Sequence, residues 1–154
     1  MKFIIRLFSA LIITFSYIEL AYSKTTKIII FGDSLIAGYG LVVEDNFVNQ
    51  LKLKTIEKKI NNLTLFNSGV SGETSTGLSN RYKWVLEDNY DGVIILIGAN
   101  DALRGIDPSL TSQNIEKILS YLKEKQIPTM LIGMKAPNNL GEIYVNEFNA
   151  IYPK

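Results

Sequence analysis

Residues 27–35 read KIIIFGDSL, an apolar run that ends in glycine, aspartate and serine. A short continuous apolar run bounded by turn residues is typical of a strand that is buried on both faces of a parallel sheet. Gly32 permits a tight turn at the end of this strand, and Ser34 follows it directly. The stretch therefore predicts an α/β fold with a polar loop at the carboxyl end of its first strand.

The rest of the chain alternates strand patterns with helical patterns, as βαβ units do. The predicted strands are 27–31, 63–67, 92–97 and 129–133, and the predicted helices are 46–60, 78–87, 108–125 and 142–152. The expected architecture is a three-layer α/β fold with helices on both faces of a parallel sheet. In such sheets, ligands bind at the loops that follow the carboxyl ends of the strands.

The helix predicted at 108–125 has the clearest signals. Asp107 can cap its first N–H groups, and Pro108 fits the first turn, where a missing N–H is tolerated. Apolar residues at helical spacing predict the buried faces of this helix and of the last one. They are Ile115, Ile118, Leu119 and Leu122 in the first case and Val145, Phe148 and Ile151 in the second.

The first residues have the features of an export signal. Lys2 and Arg6 precede an uncharged run over 7–18, and small residues at 21 and 23 form a cleavage-site pattern. The alternative is a membrane anchor, but the run is shorter than the roughly 20 apolar residues that span a bilayer. We expect residues 1–23 to be a signal peptide and residues 24–154 to form one exported domain, periplasmic or secreted, with no stable membrane anchor after cleavage.

Composition excludes several classes of function. The 154 residues include 16 basic and 15 acidic side chains without a long basic run, so nucleic acid is not an expected partner. The absence of cysteine excludes disulfides, thiolate metal sites and cysteine nucleophiles. The absence of histidine removes the usual general base and the commonest metal ligand. We expect no cofactor and no metal, and composition does not predict the oligomeric state.

The first loop offers Ser34 as a candidate nucleophile, because its hydroxyl can face the crevice beside a helix N-terminus. The alternative is a serine that only caps the following helix. The sequence GDSLI at 32–36 lacks the second glycine of the G-x-S-x-G nucleophile elbow. The sequence GYG at 38–40 is only a fragment of a phosphate-binding loop.

The second and third loops read NSGVSGET at 67–74 and IGAND at 97–101. Each fits ordinary turn chemistry. Together they offer a glycine N–H and the side-chain amide of Asn100, both able to point at an oxyanion formed at Ser34. The three loops together indicate acyl transfer.

These blocks resemble those of the GDSL or SGNH hydrolases, a family named for Ser, Gly, Asn and His in four blocks. Ser34 matches the nucleophile, Gly72 the oxyanion glycine and Asn100 the oxyanion asparagine. The segments GDSLIAGYG at 32–40, GANDALRG at 98–105 and FNAIYPK at 148–154 are similar to the bacterial acyl-CoA thioesterase, lysophospholipase and arylesterase subgroup. The resemblance covers about 27–154 and implies a flavodoxin-like three-layer sheet.

The fourth block of that family, Asp-x-x-His after a fifth strand, has no counterpart in this sequence, so the catalytic Asp and His are absent. We interpret this as a C-terminal truncation that removes the last strand and helix. Without the histidine, Ser34 has no base to take its proton. Lys135 or Glu73 could act as a substitute base, but no motif places either beside Ser34.

The resemblance implies a serine hydrolase that cleaves carboxylic esters or thioesters with lipid-like acyl groups through an acyl-enzyme. Its partner would be a small-molecule acyl substrate, and Leu103 and Ile106 would contact the acyl chain. Those two residues can equally be loop residues that pack against the sheet. Two other functions remain open: a non-catalytic or vestigial acyl-binding protein, and a flavodoxin-like domain for phosphoryl transfer or small-molecule binding.

Overall fold

The computed structural model describes residues 24–152, so the predicted signal peptide lies outside the described residues. The strands are β1 (Thr26–Gly32), β2 (Leu63–Gly69), β3 (Gly92–Leu96) and β4 (Thr129–Leu131). The helices are α1 (Ser34–Ala37), α2 (Phe47–Glu57), α3 (Ser75–Val85), α4 (Ala99–Leu103), α5 (Pro108–Glu124) and α6 (Glu142–Asn149). Short 3-10 turns cover Val43–Asp45, Leu86–Asp88 and Asn138–Leu140.

The strands form one parallel sheet in the order β2-β1-β3-β4. Gly32 at the end of β1 lies opposite Gly69 of β2 and Leu96 of β3. Strands β1, β2 and β3 therefore end at the same level, and the loops that follow them leave from one edge of the sheet.

Side chains on the two faces of the sheet enter separate apolar clusters, because successive residues of a strand point to opposite sides. On one face, Ile29 and Phe31 pack with the larger core beneath α3, α5 and α6. On the other face, Ile30 packs with the smaller core beside α1 and α2. Helices on both faces confirm the three-layer α/β fold.

Predicted and observed helices agree best where apolar periodicity was strong. Asp107 caps α5 by accepting a hydrogen bond from the Ser109 N–H at 2.8 Å, and Ile118 and Leu122 are fully buried. Helix α3 begins three residues before its predicted start, because Thr74 caps it by accepting from the Gly77 N–H. The remaining predicted inward residues are buried or packed against the core: Ile115, Leu119, Val145, Phe148 and Ile151.

The strand predicted at 129–133 is shorter than expected. It ends at Leu131, with one more ladder-type hydrogen bond from the Ile132 N–H to the Ile95 carbonyl at 2.8 Å. Strand β3 itself ends at Leu96, one residue after the last residue that pairs with β4.

Strand β4 forms one edge of the sheet as the structure describes it, and the face beside it is partly uncovered. An apolar cavity of about 420 Å³ lies there, lined by Ile28, Leu65, Ile94 and Met130 among others. The Met130 side chain is 59% exposed. Across residues 24–152, no helix is long and apolar enough to cross a membrane.

Candidate active site

The loop after β1 places Ser34 as the first residue of α1, where it is half-buried. The cap of this helix is Asp33, whose Oδ1 accepts a hydrogen bond from the Leu35 N–H at 2.9 Å. The alternative interpretation of Ser34 as the capping residue is therefore wrong. An aspartate one position earlier already accepts that N–H, so the serine hydroxyl is not needed for capping.

Two glycines allow α1 to approach the strand ends closely. A Cβ on Gly32 would lie 2.3 Å from Ile36 Cγ1 and 2.5 Å from the Leu96 carbonyl oxygen. A Cβ on Gly69 would lie 2.2 Å from the backbone nitrogen of Ala37. Larger residues at either position would push the loop that carries Ser34 away from the sheet edge.

The loop after β2 turns sharply at Gly72. The Glu73 N–H donates to the Val70 carbonyl at 3.1 Å, which closes a four-residue turn. Gly72 has φ +80° at the third position of this turn, a conformation that favours glycine. Its carbonyl accepts a hydrogen bond from Arg104 at 2.8 Å.

The loop after β3 carries Asn100 in the first turn of α4. Asn100 Nδ2 donates to the Glu73 carbonyl at 2.9 Å, directly after Gly72 in the chain. An amide nitrogen carries two N–H groups, so one is left for a ligand in the crevice.

The register and these bonds bring the three predicted site residues to one edge of the sheet. Ser34, Gly72 and Asn100 all follow the aligned ends of neighbouring strands. The Val70 N–H donates to the Gly32 carbonyl at 2.9 Å and joins the first two loops. The Asn100–Glu73 bond joins the second and third. Together the loops present a hydroxyl, a glycine backbone and a side-chain amide at one edge.

A buried hydrogen-bond network around Asp101 supports the third loop, and sequence reasoning missed it. The carboxylate of Asp101 is fully buried and accepts from the Ser75 N–H at 2.8 Å and from Ser75 Oγ at 2.6 Å. Thr111 Oγ1 of α5 donates to it at 3.2 Å. The signal was available in the sequence, because Thr111 falls on the face of α5 that carries Ile115 and Ile118.

Two buried acids lie beside the predicted nucleophile and the predicted amide. Burial raises the pKa of Asp33 above its usual 3.8, and the negative charge of Asp101 raises it further, while the Leu35 N–H acts in the opposite direction. Asp33 Oδ2 has no hydrogen-bond partner in the part of the chain that the structure describes. The protonated form of Asp33 is therefore favoured relative to an ordinary aspartate.

The Tyr152 side chain lies behind the third loop. Its hydroxyl donates to the Ile97 carbonyl at 2.7 Å. A Cβ on Gly98 would come within 2.2 Å of that hydroxyl oxygen, and Gly98 has φ +120°. Burial, with the nearby charges of Asp101 and Asp33, strongly raises the pKa of Tyr152. The tyrosine is thus a neutral donor that holds the end of β3.

Glu73 and Lys135, the two residues that the sequence offers as substitute bases, lie in different environments. Both carboxylate oxygens of Glu73 accept hydrogen bonds from Arg81, at 2.5 Å and 2.7 Å, so Glu73 is already engaged in an ion pair. Lys135 is exposed in the segment after β4. Neither environment favours proton abstraction from Ser34.

The predicted acyl contacts lie at the end of α4 and just beyond it. The Leu103 side chain is 70% exposed, so it does not pack against the sheet. Ile106 is half-buried, and its carbonyl accepts a hydrogen bond from the Tyr144 hydroxyl at 2.8 Å.

Among residues 24–152, no three acidic side chains lie close enough together to hold a metal ion.

Comparison with known families identifies the class of protein. The model of the GDSL-like lipase/acylhydrolase family matches residues 30–154, which include all three loops. The chain belongs to this family. Membership in the GDSL-like family favours acyl transfer over the phosphoryl-transfer alternative.

Individual relatives agree with the family match. An arylesterase of Vibrio mimicus is 32% identical over 97% of this chain and 74% of its own length. A protein of Escherichia coli named thioesterase 1/protease 1/lysophospholipase L1 is 33% identical over 82% of this chain and 60% of its own length. The chain therefore spans about three-fifths to three-quarters of the length of these relatives.

Solved structures show the same fold. The crystal structure of AlinE4, described as an SGNH-hydrolase family esterase, superposes with a TM-score of 0.80 and 39% sequence identity. The match covers 86% of this chain and 71% of AlinE4. This agreement confirms the resemblance to GDSL or SGNH hydrolases and the flavodoxin-like, parallel α/β fold.

Proposed function

We propose that the edge formed by the three loops is an acyl-transfer site for carboxylic esters or thioesters. Ser34 Oγ attacks the acyl carbonyl, and the carbonyl oxygen becomes an oxyanion. The Gly72 N–H, one N–H of Asn100 Nδ2 and an N–H of the nucleophile loop stabilise that charge. Loss of the alcohol or thiol leaves an acyl group on Ser34, and water then releases the acid.

The observation that carries this proposal is the hydrogen bond from Asn100 Nδ2 to the Glu73 carbonyl at 2.9 Å. It fixes the side-chain amide next to the peptide that follows Gly72. With the aligned ends of β1, β2 and β3, it supports a shared oxyanion site facing Ser34. Two donors that are held in place before reaction cost no reorganisation during it.

Removal of the hydroxyl proton from Ser34 limits the rate at which this chain alone can carry out acyl transfer. A serine nucleophile needs a base to take its proton, and that base later protonates the leaving group. The sequence contains no histidine, and Glu73 is paired with Arg81. In a serine protease, loss of the catalytic histidine lowers kcat about 10⁶-fold. We therefore infer that this chain acylates Ser34 slowly.

For the substrate we propose a lipid-like acyl ester or thioester of the lysophospholipid, acyl-CoA or aryl ester type. The exposed side chain of Leu103, with Ile106 close by in the chain, offers apolar surface for an acyl group. The names of the relatives, which include arylesterase and thioesterase/lysophospholipase, support this substrate class.

We also propose that the protein is exported. The charge and apolar pattern of residues 1–23 supports this proposal.

A second candidate is a protein that binds acyl ligands without turnover. The absence of histidine from the sequence favours it. The same crevice and the exposed Leu103 would then hold an acyl chain, and Ser34 would remain unmodified. The two candidates differ in one observable, the formation of a covalent acyl-serine.

Intact-mass and peptide mass spectrometry after long incubation with p-nitrophenyl butyrate test the proposal. We expect a butyryl group on the peptide that contains Ser34, and no such group in the Ser34→Ala variant. Ser71→Ala is the matched control, because it removes a serine from the neighbouring loop and should leave the acylation unchanged. Binding of dodecanoate by calorimetry without any acyl-serine would support the second candidate instead.

A further inference from the structure

The Arg81 side chain reaches back from α3 to the loop that carries Gly72. Its Nε and one terminal nitrogen donate to the two oxygens of Glu73, at 2.5 Å and 2.7 Å. Its terminal nitrogens also donate to Ser68 Oγ at 2.8 Å and to the Ser68 carbonyl at 2.7 Å. The guanidinium lies 5.4 Å from the centre of the Phe31 ring, close enough for a cation–π contact.

These contacts hold the Gly72 loop at both ends. Ser68 belongs to the end of β2, before the loop, and Glu73 is the residue after Gly72. One planar group therefore fixes the distance between the start and the end of the turn. Arginine suits this geometry because its donors form a rigid fork, whereas a lysine ammonium acts as a point charge.

Glu73 is also held from its backbone side, because its carbonyl accepts the hydrogen bond from Asn100. The side chain of Glu73 is only 5% exposed and that of Arg81 is 20% exposed. A charge-assisted, two-point contact in such a setting is short and strongly directional. Motion of the Gly72–Glu73 peptide would have to break contacts on two sides at once.

We propose that Arg81 is a positioning residue that fixes the Gly72 loop in the shape that presents its N–H to the oxyanion. This inference rests on the acyl-transfer function proposed above. Arg81 acts through Glu73 and Ser68 and does not touch the reacting atoms. Its role is separate from that of the Asp101 network, which holds the start of α3.

The test measures the order of the loop directly, by nuclear magnetic resonance on the ¹⁵N-labelled full chain. In Arg81→Lys, we expect the hydrogen-bonded amides of Val70 and Glu73 to exchange with deuterium about tenfold faster or more. The heteronuclear Overhauser effect of the Gly72 amide should fall at the same time. Amides in the centre of α5, such as that of Ile118, should keep their exchange rates, because global stability is retained.

The matched control is Lys54→Met, which removes the exposed ion pair with Glu57 on α2. It should leave the exchange of Val70 and Glu73 unchanged.

A second variant tests the same claim without leaving a buried charge unpaired. Removal of one partner of a buried pair can unfold a protein. The double variant Arg81→Met with Glu73→Leu, which leaves no unpaired charge, therefore repeats the test. Exchange and Overhauser effects that stay at wild-type values in a folded variant would overturn the proposal.

A second measurement separates this proposal from the proposed function. With p-nitrophenyl butyrate and added imidazole as a base, the Ser34-dependent rate should fall in Arg81→Lys through kcat, with KM unchanged. If wild type has no Ser34-dependent rate, the acyl-transfer function fails, while the exchange data still decide whether Arg81 orders the loop. If the rate exists and Arg81→Lys leaves kcat unchanged, the positioning role is wrong and the function stands.

Discussion

Asn100 Nδ2 donates a hydrogen bond to the Glu73 carbonyl at 2.9 Å and so ties the loop after β3 to the loop after β2. No strand pairing joins β2 to β3 directly, because β1 lies between them. This side chain therefore provides a link between two loops that the sheet holds only indirectly.

Replacement of Asn100 by alanine should lower the free energy of unfolding by about 1 kcal/mol, the usual net contribution of one hydrogen bond. Urea unfolding of Asn100→Ala against wild type measures this change. Asn139→Ala, at an exposed position, should change the free energy of unfolding much less. Equal losses in both variants would mean that the link contributes nothing to stability.

Asp33→Asn should change how stability depends on pH. The pKa of Asp33 in the native state is raised above its usual 3.8. At a pH between 3.8 and that raised pKa, Asp33 is protonated in the native state and ionised in the unfolded state. The stability contributed by this group is present below 3.8 and falls as pH rises towards the raised native pKa. Wild type should therefore lose stability relative to Asp33→Asn over that interval.

Unfolding by urea at a series of pH values checks this sign. The control variant is Asn139→Ala, an exposed substitution that removes no titratable group, and its stability should run parallel to that of wild type at every pH. A gain in wild-type stability relative to Asp33→Asn with rising pH would show that the buried carboxylate has an unrecognised favourable partner.

Gly98→Ala should destabilise the protein by about 2 kcal/mol or more. The new Cβ would lie 2.2 Å from the Tyr152 hydroxyl oxygen, and residue 98 would keep a positive φ. Gly40→Ala, at φ +79° with open space around it, should cost only about 1 kcal/mol because it adds strain without a collision.

Thermal unfolding of the two glycine variants gives the comparison. Addition of Tyr152→Phe to Gly98→Ala should recover part of the loss, because it removes the atom that collides. If Tyr152→Phe gives no recovery, the close approach at Gly98 is not the cause of the destabilisation.

Met130→Lys should reduce self-association. The Met130 side chain is 59% exposed beside the edge strand β4 and the apolar cavity, and open apolar edges promote association. Sedimentation velocity at rising protein concentration should show less association in this variant. Leu53→Lys, which replaces a 55% exposed residue of α2, is the control. Equal behaviour of the two variants would contradict a role for the β4 edge.

Much of the sheet follows from the sequence, because the first and third strands are nearly uniform apolar runs. The start of α3 does not, because Ser75, Thr76 and Gly77 have weak helical preference. Thr74 and the carboxylate of Asp101, 26 residues from Ser75, hold that turn in place. Local sequence patterns do not show that a side chain from a distant loop, such as Asp101, will hydrogen-bond to this turn after folding.

The candidate site also contains residues that the sequence could predict and contacts that it could not. Ser34, Gly72 and Asn100 belong to short local motifs, so sequence analysis could name them. The pairing of Arg81 with Glu73 and the network around Asp101 depend on which side chains meet after folding. For the pairing of Arg81 with Glu73, the available signal was that the two opposite charges lie eight residues apart, on either side of the start of α3.

The most direct test of the acyl-transfer site is the imidazole-dependent hydrolysis of p-nitrophenyl butyrate by wild type, Ser34→Ala and Asn100→Ala. Imidazole supplies the base that the sequence lacks, so wild type should hydrolyse the ester faster than Ser34→Ala at every imidazole concentration. Loss of one oxyanion donor lowers kcat by roughly 10² to 10³. The Asn100→Ala rate should therefore approach that of Ser34→Ala. Equal rates for wild type and Ser34→Ala would contradict the assignment of Ser34 as the nucleophile.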